Sequence, residues 1–286
     1  MTRTMSLLNM KGGVGKTTLA VNLAWYLHEK EPCNILLIDL DPQFNTTQYM
    51  MDYNDFVTHS RDNGTIADIL IDQPSMKLTS KGKRKKIHPN QRLIRIHTHA
   101  QGYCFDLLPA ELRLGFVVKN PAQMEYKLEK VLESLRNNYD YILIDCAPTD
   151  SVLTTIAMMA SDYVMVPVRP DRFAILGFAN FLETLGYFRD NCQDPHRVQE
   201  LGVVFTQVTG NSQVETECMS EITTRAIREK SYVFTSKLRY SNTFIRAVKD
   251  QTPAYRTKYA RGKLLSDIAS ITKEMKQRIT YIEGNK

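Results

Sequence analysis

Residues 6–23, SLLNMKGGVGKTTLAVNL, join an apolar segment to a glycine-rich loop and then to a segment with helical periodicity. The letters GKT at 15–17 match the end of the phosphate-binding pattern G-x-x-x-x-G-K-[ST]. The position of the pattern's first glycine holds Met10 instead, and an additional lysine, Lys11, follows it. The stretch therefore predicts a nucleotide site on a strand, a loop and a helix, and it leaves the role of Lys11 open.

The chemistry of this loop follows from its residue types. Successive backbone N–H groups of a glycine-rich turn point into one concavity, and the following helix adds its positive N-terminal end. Lys16 then reaches the β- and γ-phosphates, and the hydroxyl of Thr17 ligates Mg²⁺. A plain glycine turn before a helix is the competing interpretation. The predicted nucleotide-binding residues of the loop are Gly12, Gly13, Val14, Gly15, Lys16, Thr17 and Thr18.

Carboxylates follow two further apolar segments. Asp39 and Asp41 lie in LLIDLDPQ at 36–43, and Asp145 ends the run YILID. A buried strand that ends in Asp is common, so neither segment is specific alone. In the order phosphate loop, DLD, ILID, however, they predict Mg²⁺ held near a triphosphate. The predicted metal-site residues are Thr17, Asp39, Asp41 and Asp145.

Apolar runs alternate with longer helical segments along the whole chain, which is typical of a P-loop α/β fold with a mostly parallel twisted sheet and helices on both faces. We predict a single domain over 1–286, with an exposed basic loop insertion at 72–92. Thr149 or Asp150 is expected to cap the helix that ends at Ala160. The predicted strands are 4–9, 35–38, 93–98, 103–108, 141–144, 163–168, 201–207 and 232–238. The predicted helices are 17–29, 45–51, 64–71, 121–137 (begun by Pro121), 149–160, 176–191, 213–229, 241–250 and 260–282.

Composition narrows the class of protein. Apolar residues make up 43% of the 286 residues and charged residues 24%, as in ordinary globular chains. No apolar run approaches the roughly 20 residues of a membrane span. The five cysteines are scattered without a C-x-x-C pair, so we expect reduced thiols. Residues 1–10 run directly into the first strand, which leaves no room for a secretory signal and predicts a cytoplasmic protein.

Taken together, KGGVGKTT, LLIDLDPQFNTT and YILIDCAP resemble the motifs of the ParA/MinD family of deviant-Walker ATPases, on the ParA side. LLPA at 107–110 and VPVRPD at 166–171 are also similar to that family. The resemblance implies a homodimer that forms around ATP and Mg²⁺. It implies that Lys11 reaches across the dimer interface to the partner's phosphates.

The resemblance also implies individual roles. The catalytic residues would be Lys11, Lys16 and Asp41, with Asp41 positioning the attacking water. Thr17 would ligate Mg²⁺, Asp145 would hold the metal through water, and Asp39 would support them. Adenine would lie near the end of the strand at 201–207, which makes Thr206 and Gln207 candidate base contacts.

Three functions compete within this superfamily. A ParA-type ATPase binds nonspecific double-stranded DNA as an ATP dimer, and this needs a basic face. Residues 237–263 contain eight basic residues and one acid, Asp250, although a solvated helical face has the same composition. The basic stretch KGKRKK at 81–86 either adds to this surface or is a solubilising insert. The candidate DNA-binding residues are Lys237, Arg239, Arg246, Lys249, Arg256, Lys258, Arg261 and Lys263.

The other two functions are less well matched. A MinD-like membrane-associated ATPase needs an exposed apolar helix at the C-terminus. The stripe Ile268, Ile271, Met275, Ile279 and Ile282 instead has the spacing of a helix packed on a core. An iron–sulfur ATPase needs paired cluster cysteines, and Cys104 and Cys146 are the candidates here.

We therefore expect a ParA-type ATPase, cytoplasmic and nucleoid-associated, that segregates plasmid or chromosomal DNA or positions another cargo. A ParB-like or other adaptor with a basic N-terminal segment is expected to stimulate slow hydrolysis. Because the chain begins at the first strand, we expect no N-terminal helix-turn-helix domain. A scaffold that binds ATP without hydrolysing it is the alternative from a different class, and the presence of Lys11, Lys16 and Asp41 argues against it.

Overall fold

The structure is a computed structural model that describes residues 2–71, 76–78, 84–86, 88–121, 124–191, 198–258, 260 and 262–285. Its centre is a seven-stranded sheet, and a separate two-stranded antiparallel hairpin lies outside it. The strands are β1 (Arg3–Leu7), β2 (Ile35–Leu40), β3 (Met76–Leu78), β4 (Arg84–Lys86), β5 (Ile94–Thr98), β6 (Cys104–Leu108), β7 (Tyr141–Cys146), β8 (Tyr163–Val168) and β9 (Gln199–Phe205).

The large sheet has the strand order β5-β6-β2-β7-β1-β8-β9, and β5 is its antiparallel strand. Strands β2, β7 and β8 are buried along their whole length, as expected for apolar strands covered on both faces. β2 and β7 run parallel in a register that pairs Asp39 with Asp145. β1 lies between β7 and β8. The loops that follow β1, β2, β7 and β9 therefore meet at one edge of the sheet, where ligands bind in such folds.

Helices cover both faces of the sheet, which confirms the predicted fold class. One apolar cluster packs α1, α2, α10 and α11 against one face, and another packs α4 to α9 against the other. The helices are α1 (Lys16–Lys30), α2 (Asn45–Met50), α3 (Tyr53–Asp62), α4 (Ile66–Leu70), α5 (Leu114–Lys119), α6 (Lys127–Leu135), α7 (Val152–Ala160), α8 (Ala174–Asn191), α9 (Gln213–Arg228), α10 (Thr243–Lys249) and α11 (Gly262–Gly284).

The prediction of a helix from Pro121 to residue 137 was wrong at its start. Pro121 directly follows Asn120, the residue that ends α5, and α6 begins only at Lys127. Proline is common just after a helix as well as at its first position, because it cannot continue the preceding hydrogen bonds. Here it marks the end of one helix and not the beginning of the next.

The predicted cap of α7 was also wrong by one or two residues. Neither Thr149 nor Asp150 caps this helix. The residue before α7 is Ser151, and its hydroxyl accepts a hydrogen bond from the N–H of Leu153. Ser151 has extended backbone angles, as a capping residue requires.

The predicted strand at 232–238 is not a regular strand. The segment runs alongside β9, where Val233 bridges to Val203, and Arg239 directly after it bridges to Val208, beyond the end of β9. Between these bridges, the N–H groups of Thr235 and Ser236 donate to the Glu274 carboxylate of α11, at 2.7 and 2.9 Å. A side chain of a neighbouring helix thus takes the hydrogen bonds that a strand ladder would use.

Residues 72–92 were predicted as an exposed loop, which was wrong in part. β3 and β4 form an antiparallel hairpin within this range, and residues 89–92 form a 3₁₀ turn that ends in the buried Arg92. In the predicted KGKRKK stretch, residues 84–86 form β4, whereas 81–83 lie outside the described residues.

Candidate nucleotide site

The glycine loop follows β1 and turns sharply into α1. Gly13 and Gly15 have φ angles of 72° and 85°, which L-residues with side chains rarely adopt. A Cβ on Gly15 would also contact Thr206 and Gln207. Val14, between these glycines, is buried and anchors the loop. The two glycines therefore let the loop curve with its N–H groups grouped at the start of α1, which forms a site for an anion.

Lys16 lies at the first position of α1, and its side chain folds back over the loop. Its Nζ donates to the carbonyl oxygens of Asn9 at 3.0 Å and Lys11 at 3.1 Å. Burial lowers the pKa of this ammonium, and the nearby Asp145 carboxylate opposes that effect. A phosphate next to Lys16 would supply the negative charge that compensates this desolvation.

Lys11 points in a different direction from Lys16. Its Nζ lies 2.6 and 2.5 Å from the two carboxylate oxygens of Asp171, in the segment before α8. The ammonium also lies 5.5 Å from the ring centroid of Phe173. The same Asp171 accepts hydrogen bonds from the N–H groups of Phe173 and Ala174, which fixes its position at the start of α8. The two lysines of the loop thus occupy separate places.

Thr17 and Asp145 form the oxygen-rich part of the site. The Thr17 hydroxyl donates to Oδ2 of Asp145 at 2.6 Å, and the Thr46 hydroxyl donates to the same oxygen at 2.7 Å. The other oxygen, Oδ1 of Asp145, is buried and accepts no hydrogen bond from the described residues. Burial raises the pKa of this carboxyl, and the hydrogen bonds from the two threonines oppose the shift.

These residues fit Mg²⁺. A hydroxyl and a carboxylate are hard oxygen ligands, and Mg²⁺ binds with one or two such groups plus phosphate oxygens and water. The buried, unpartnered Oδ1 of Asp145 is the kind of atom that a cation or its water would satisfy. No group of three or more His, Cys, Asp or Glu side chains suited to a metal occurs among the described residues. Thr17 and Asp145 therefore fit a cation that also binds phosphate oxygens.

Asp39 and Asp41 have different environments although they lie two residues apart. Oδ2 of the fully buried Asp39 accepts from both the N–H and the hydroxyl of Thr47, at 2.8 and 2.7 Å. Burial raises the pKa of Asp39, and the negative charge of Asp145 adds to the increase. Asp41 lies in the turn that follows β2, where its Oδ1 accepts from the N–H of Gln43 at 2.8 Å. The Asp39 carboxylate thus stabilises the turn through Thr47, whereas the Asp41 carboxylate belongs to the turn itself.

The predicted base contacts, Thr206 and Gln207, lie directly behind the glycine loop. The Thr206 hydroxyl donates to the Val14 carbonyl at 2.5 Å, and Nε2 of Gln207 donates to the Gly13 carbonyl at 2.7 Å. Gln207 has a φ angle of 54°, which aims its side chain at the loop. Both residues hold loop carbonyls, and contact of either with a base stays a prediction.

Sequence reasoning gave no role to several residues that complete this site. Asn9 donates to the Pro167 carbonyl at 2.7 Å and so joins the start of the loop to β8. Thr46 and Thr47 anchor the two buried carboxylates, and Asp171 holds Lys11. The threonines lie in the motif FNTT directly after DLDPQ, which was a usable signal. Asp171 ends the motif VPVRPD, but it is 160 residues from Lys11, and the motif did not indicate this contact.

Comparison with known proteins agrees with this geometry. A family model described as an AAA domain matches residues 2–197. The chain is 30% identical to the chromosome partitioning protein ParA of Myxococcus xanthus over 222 residues, which covers 77% of this chain and 70% of that protein. The chain belongs to the ParA family of P-loop ATPases.

Two solved structures have the same fold as this chain over nearly its whole length. A single-substitution variant of Cyanothece McdA in complex with ATP aligns with a TM-score of 0.76 at 17% identity, covering 98% of this chain and 96% of that one. The structure of pNOB8 ParA bound to nonspecific DNA aligns with a TM-score of 0.70 at 22% identity, covering 98% and 99%. At these identities, the likeness concerns the fold.

The candidate DNA-binding residues of this ParA-family chain lie around α10 and the start of α11. Arg239, Arg246 and Lys263 line one depression of about 470 Å³ together with Asp267. Arg239 forms a bidentate ion pair with Asp267, and Arg256 pairs with Glu29 at 2.6 Å. The described candidates are Lys237, Arg239, Arg246, Lys249, Arg256, Lys258 and Lys263, all exposed, whereas Arg261 lies outside the described residues.

The structure also bears on the two alternative functions, the membrane-associated ATPase and the iron–sulfur ATPase. In α11, Ile268, Ile271, Met275 and Ile279 are buried against the sheet, and Ile282 packs against them. The predicted apolar stripe is therefore core, as its spacing indicated. No described helix has the length and hydropathy needed to cross a bilayer.

The cysteines of the iron–sulfur alternative lie far apart. Cys104 begins β6, next to Phe105, which pairs with Ile35 at the start of β2. Cys146 ends β7 and pairs with Leu40 at the other end of β2. The two cysteines of this ParA-family chain therefore lie at opposite ends of their strands and cannot bind the same iron–sulfur cluster.

Proposed function

We propose that this chain is an ATPase that forms a homodimer around ATP and Mg²⁺, binds nonspecific DNA as that dimer, and hydrolyses ATP slowly. The cycle of binding and release segregates plasmid or chromosomal DNA or positions another cargo, which makes the protein cytoplasmic and nucleoid-associated. The observation that carries the proposal is the separation of the two loop lysines. Lys16 lies over its own loop, whereas the Lys11 ammonium lies away from that loop and pairs with Asp171 at 2.5–2.6 Å.

Lys11 supports dimerisation because its side chain is not committed to the loop that contains it. A lysine that its own phosphate loop does not hold is available to the phosphoryl group bound by another subunit. Added positive charge stabilises a transferring phosphoryl group, as arginine fingers do in related enzymes. ATP then holds two subunits together, since each γ-phosphate contacts Lys16 of one subunit and Lys11 of the other.

The remaining site residues divide the chemistry. The loop N–H groups from Gly12 to Lys16 bind phosphate oxygens, while Thr17 and Asp145 hold Mg²⁺. When bound, Mg²⁺ neutralises charge on the β- and γ-phosphates. Asp41 lies in the turn that follows β2 and orients the attacking water. Asp39 keeps that turn in place through Thr47.

DNA binding is supported by the exposed basic side chains around α10 and by the solved complex of a similarly folded ParA with nonspecific DNA. Contacts from Lys and Arg to phosphates give affinity without base readout. An adaptor protein, ParB-like or of another type, stimulates hydrolysis and so releases the dimer from DNA. A MinD-like membrane cycle is disfavoured because the apolar face of α11 is occupied by the core.

The test of this proposal separates the two lysines. Lys16→Ala should abolish ATP binding, whereas Lys11→Ala should keep it and lose the ATP-dependent dimer. Light scattering after gel filtration in ATP and in ADP measures the dimer, and a fluorescent ATP analogue measures binding. If Lys11→Ala still dimerises in ATP as the unmodified chain does, the proposed role of Lys11 is wrong.

A further inference from the structure

The turn after β2 contains an aromatic residue in an unfavourable backbone conformation. Phe44 follows the motif DLDPQ, and its φ and ψ angles of 42° and 41° lie in the left-handed region. A residue with a Cβ rarely adopts these angles, and a bulky aromatic residue does so only at a cost in free energy. Phe44 also directly precedes α2, where a capping residue has extended angles and a polar side chain. The start of the helix therefore explains neither the residue type nor the conformation.

Phe44 closes the turn that contains Asp41. The Phe44 N–H donates to the Asp41 carbonyl at 2.8 Å, and the Gln43 N–H donates to Oδ1 of the Asp41 side chain at the same distance. On the other side, the Phe44 carbonyl accepts a hydrogen bond from the N–H of Gln48 in α2, at 3.0 Å. The backbone angles of Phe44 thus set the direction of the Asp41 carboxylate relative to α2.

Both ends of this turn are tied to the nucleotide site. At one end, Thr46 and Thr47 in the first turn of α2 donate to the two buried carboxylates that follow or end the central strands. At the other end lies Asp41, which is buried. Burial lowers the pKa of the Lys16 ammonium, and Asp41 is close enough to be among the groups that oppose that shift. Because the threonines fix α2, a change in the backbone of Phe44 moves Asp41 relative to the site.

Packing holds Phe44 in its left-handed conformation. Its ring stacks on Phe56 of α3, with the ring centroids 5.6 Å apart and the planes 17° apart, and it also packs against the apolar cluster under α4 to α9. In α3, Tyr53 and Val57 are 69% and 43% exposed, whereas Phe56 is half-buried. Backbone strain at a functional site persists only where the surrounding contacts hold it. Phe56 supplies such a contact from a helix that is otherwise on the surface.

From these contacts we propose that Phe44 and Phe56 are positioning residues for Asp41. The stacked rings hold the left-handed backbone that orients the Asp41 carboxylate toward the attacking water. Neither ring has a group that could bind phosphate or Mg²⁺, so the contribution of the stack is to geometry. The task of Asp41 rests on the proposed function, whereas the coupling of Phe56 to the turn does not.

The experiment measures phosphate release by the full chain at varied ATP concentrations, with Mg²⁺ and duplex DNA, so that kcat and KM are obtained separately. Phe56→Ala should lower kcat roughly tenfold or more, because an error of about 1 Å in the position of a reacting group costs up to roughly 100-fold. KM should stay nearly the same, since the glycine loop and Lys16 bind the phosphates. Phe56→Tyr keeps the stacked ring and should hydrolyse ATP at the normal rate.

Two substitutions at Phe44 separate its ring from its backbone. Phe44→Ala removes the ring but keeps the Cβ that disfavours a φ angle of 42°, whereas Phe44→Gly removes both. Phe44→Gly should therefore keep more of kcat than Phe44→Ala. Equal kcat values for the two variants would mean that the left-handed backbone does not position Asp41, and the proposal would be wrong.

Val57→Ala is the matched control, because it shortens an exposed apolar side chain of the same helix, directly next to Phe56 in the chain. It should leave kcat unchanged, and circular dichroism at the assay temperature checks that each variant is folded. Equal kcat values for Phe56→Ala and Val57→Ala would overturn the proposal. A higher KM with normal kcat in Phe56→Ala would also overturn it, since the stack would then act on nucleotide binding.

Failure of this inference can be told apart from failure of the proposed function. If the unmodified chain releases no phosphate from ATP, or if Asp41→Ala hydrolyses ATP normally, the proposed function is contradicted and the task of Asp41 falls with it. The coupling of the rings is still measured by thermal unfolding of Phe44→Ala, Phe56→Ala and the double variant. Side chains that act as one unit give losses of stability that do not add, and additive losses would contradict the coupling.

Discussion

Lys11 and Lys16 are separated by four residues, yet their ammonium groups have opposite kinds of partner. Lys16 donates to two neutral carbonyls and is largely removed from water, and no described carboxylate forms an ion pair with it. Lys11 has a full carboxylate within 2.6 Å and is half-buried. Removing water from a charge is costly unless a counter-charge replaces it. Lys16 therefore gains most from a phosphate in the loop, whereas Lys11 must exchange one anion for another.

At Asp41 we predict that turnover depends on the carboxylate. Asp41→Ala should reduce ATP hydrolysis at least about 100-fold, a typical contribution of a group that orients or deprotonates the attacking water. ATP dimers should then accumulate. Phosphate release and light scattering measure the two effects.

Asp41→Asn is the control for the fold of this turn, because an amide oxygen can still accept the hydrogen bond from Gln43 N–H. If Asp41→Asn hydrolyses ATP at the normal rate, the negative charge has no part in the reaction, and only the turn matters.

Thr206 holds the glycine loop through the Val14 carbonyl, a role that is separate from the base contact that the sequence predicts. Thr206→Val keeps the shape but removes the donor to the Val14 carbonyl, which leaves a buried acceptor unpaired. We expect a loss of about 1–3 kcal/mol in the free energy of unfolding and weaker binding of every nucleotide alike. Urea unfolding and competition between ATP and GTP measure these effects.

Thr272→Val provides the comparison, since Thr272 is equally buried and donates only within its own helix to the Ile268 carbonyl. It should leave nucleotide affinity unchanged. A Thr206→Val variant that loses ATP affinity but keeps GTP affinity would show that Thr206 contacts the base.

At the scale of elements, Gly202 decides how the segment at 232–238 packs. Gly202 has a φ angle of 132°, and a Cβ there would clash with the Tyr232 carbonyl oxygen. Gly202→Ala should therefore combine backbone strain with a clash and destabilise the chain by roughly 2 kcal/mol or more. Thermal unfolding monitored by circular dichroism tests this.

Gly186→Ala is the control, because the same substitution is expected to stabilise the chain at this position. Gly186 lies inside α8 with open space around its Cα, so alanine should stabilise the helix by roughly 0.5–1 kcal/mol. If the two variants shift the unfolding temperature in the same direction, the close approach at Gly202 is not the determining feature.

The sequence predicted elements well where a local signal acts alone. Buried strands such as β8 have their predicted limits because an apolar run in a parallel sheet is continuous and ends at polar residues. The segment at 232–238 has the same local signal, but Glu274 of α11 binds its central N–H groups. Helix α3 has no buried residue and so gave no apolar stripe. Contacts between distant residues set these outcomes, and a local pattern does not contain them.

The same reasoning applies to the candidate site. The glycines and the start of α1 determine the backbone geometry of the phosphate loop locally. The sequence of the loop therefore predicts where its residues lie. Thr206 and Asp171 reach the loop because β8 lies beside β1 in the sheet and β9 lies next to β8. Their chain neighbours do not indicate that contact.

At the scale of the whole molecule, the basic residues around α10 and a group of acidic residues that line a cleft lie on different sides of the sheet. The basic side chains of α10 and the start of α11 lie on the face that packs α1. Glu125, Asp150 and Glu183 line a cleft beside α7 and α8 on the other face. The nucleotide loops lie at the carboxyl ends of the strands between these two faces, so a ligand on one face leaves the other face uncovered.

The basic surface around α10 is predicted to bind DNA phosphates. Reversing both Arg246 and Lys249 to Glu should weaken DNA binding by the ATP dimer and reduce the slope of log affinity against log salt. The slope should fall by about one unit for each DNA phosphate that the variant no longer neutralises. Because these side chains do not read bases, DNA fragments of different sequence should lose affinity equally.

A second double reversal, Lys119→Glu with Lys130→Glu, serves as the control, because both lysines are exposed on helices of the other face. It changes the net charge by the same amount and should leave the salt slope nearly intact. Anisotropy titrations of labelled duplex DNA over a range of salt concentrations distinguish the two variants. An equal decrease in affinity for both variants would mean that net charge, and not the surface around α10, governs DNA binding.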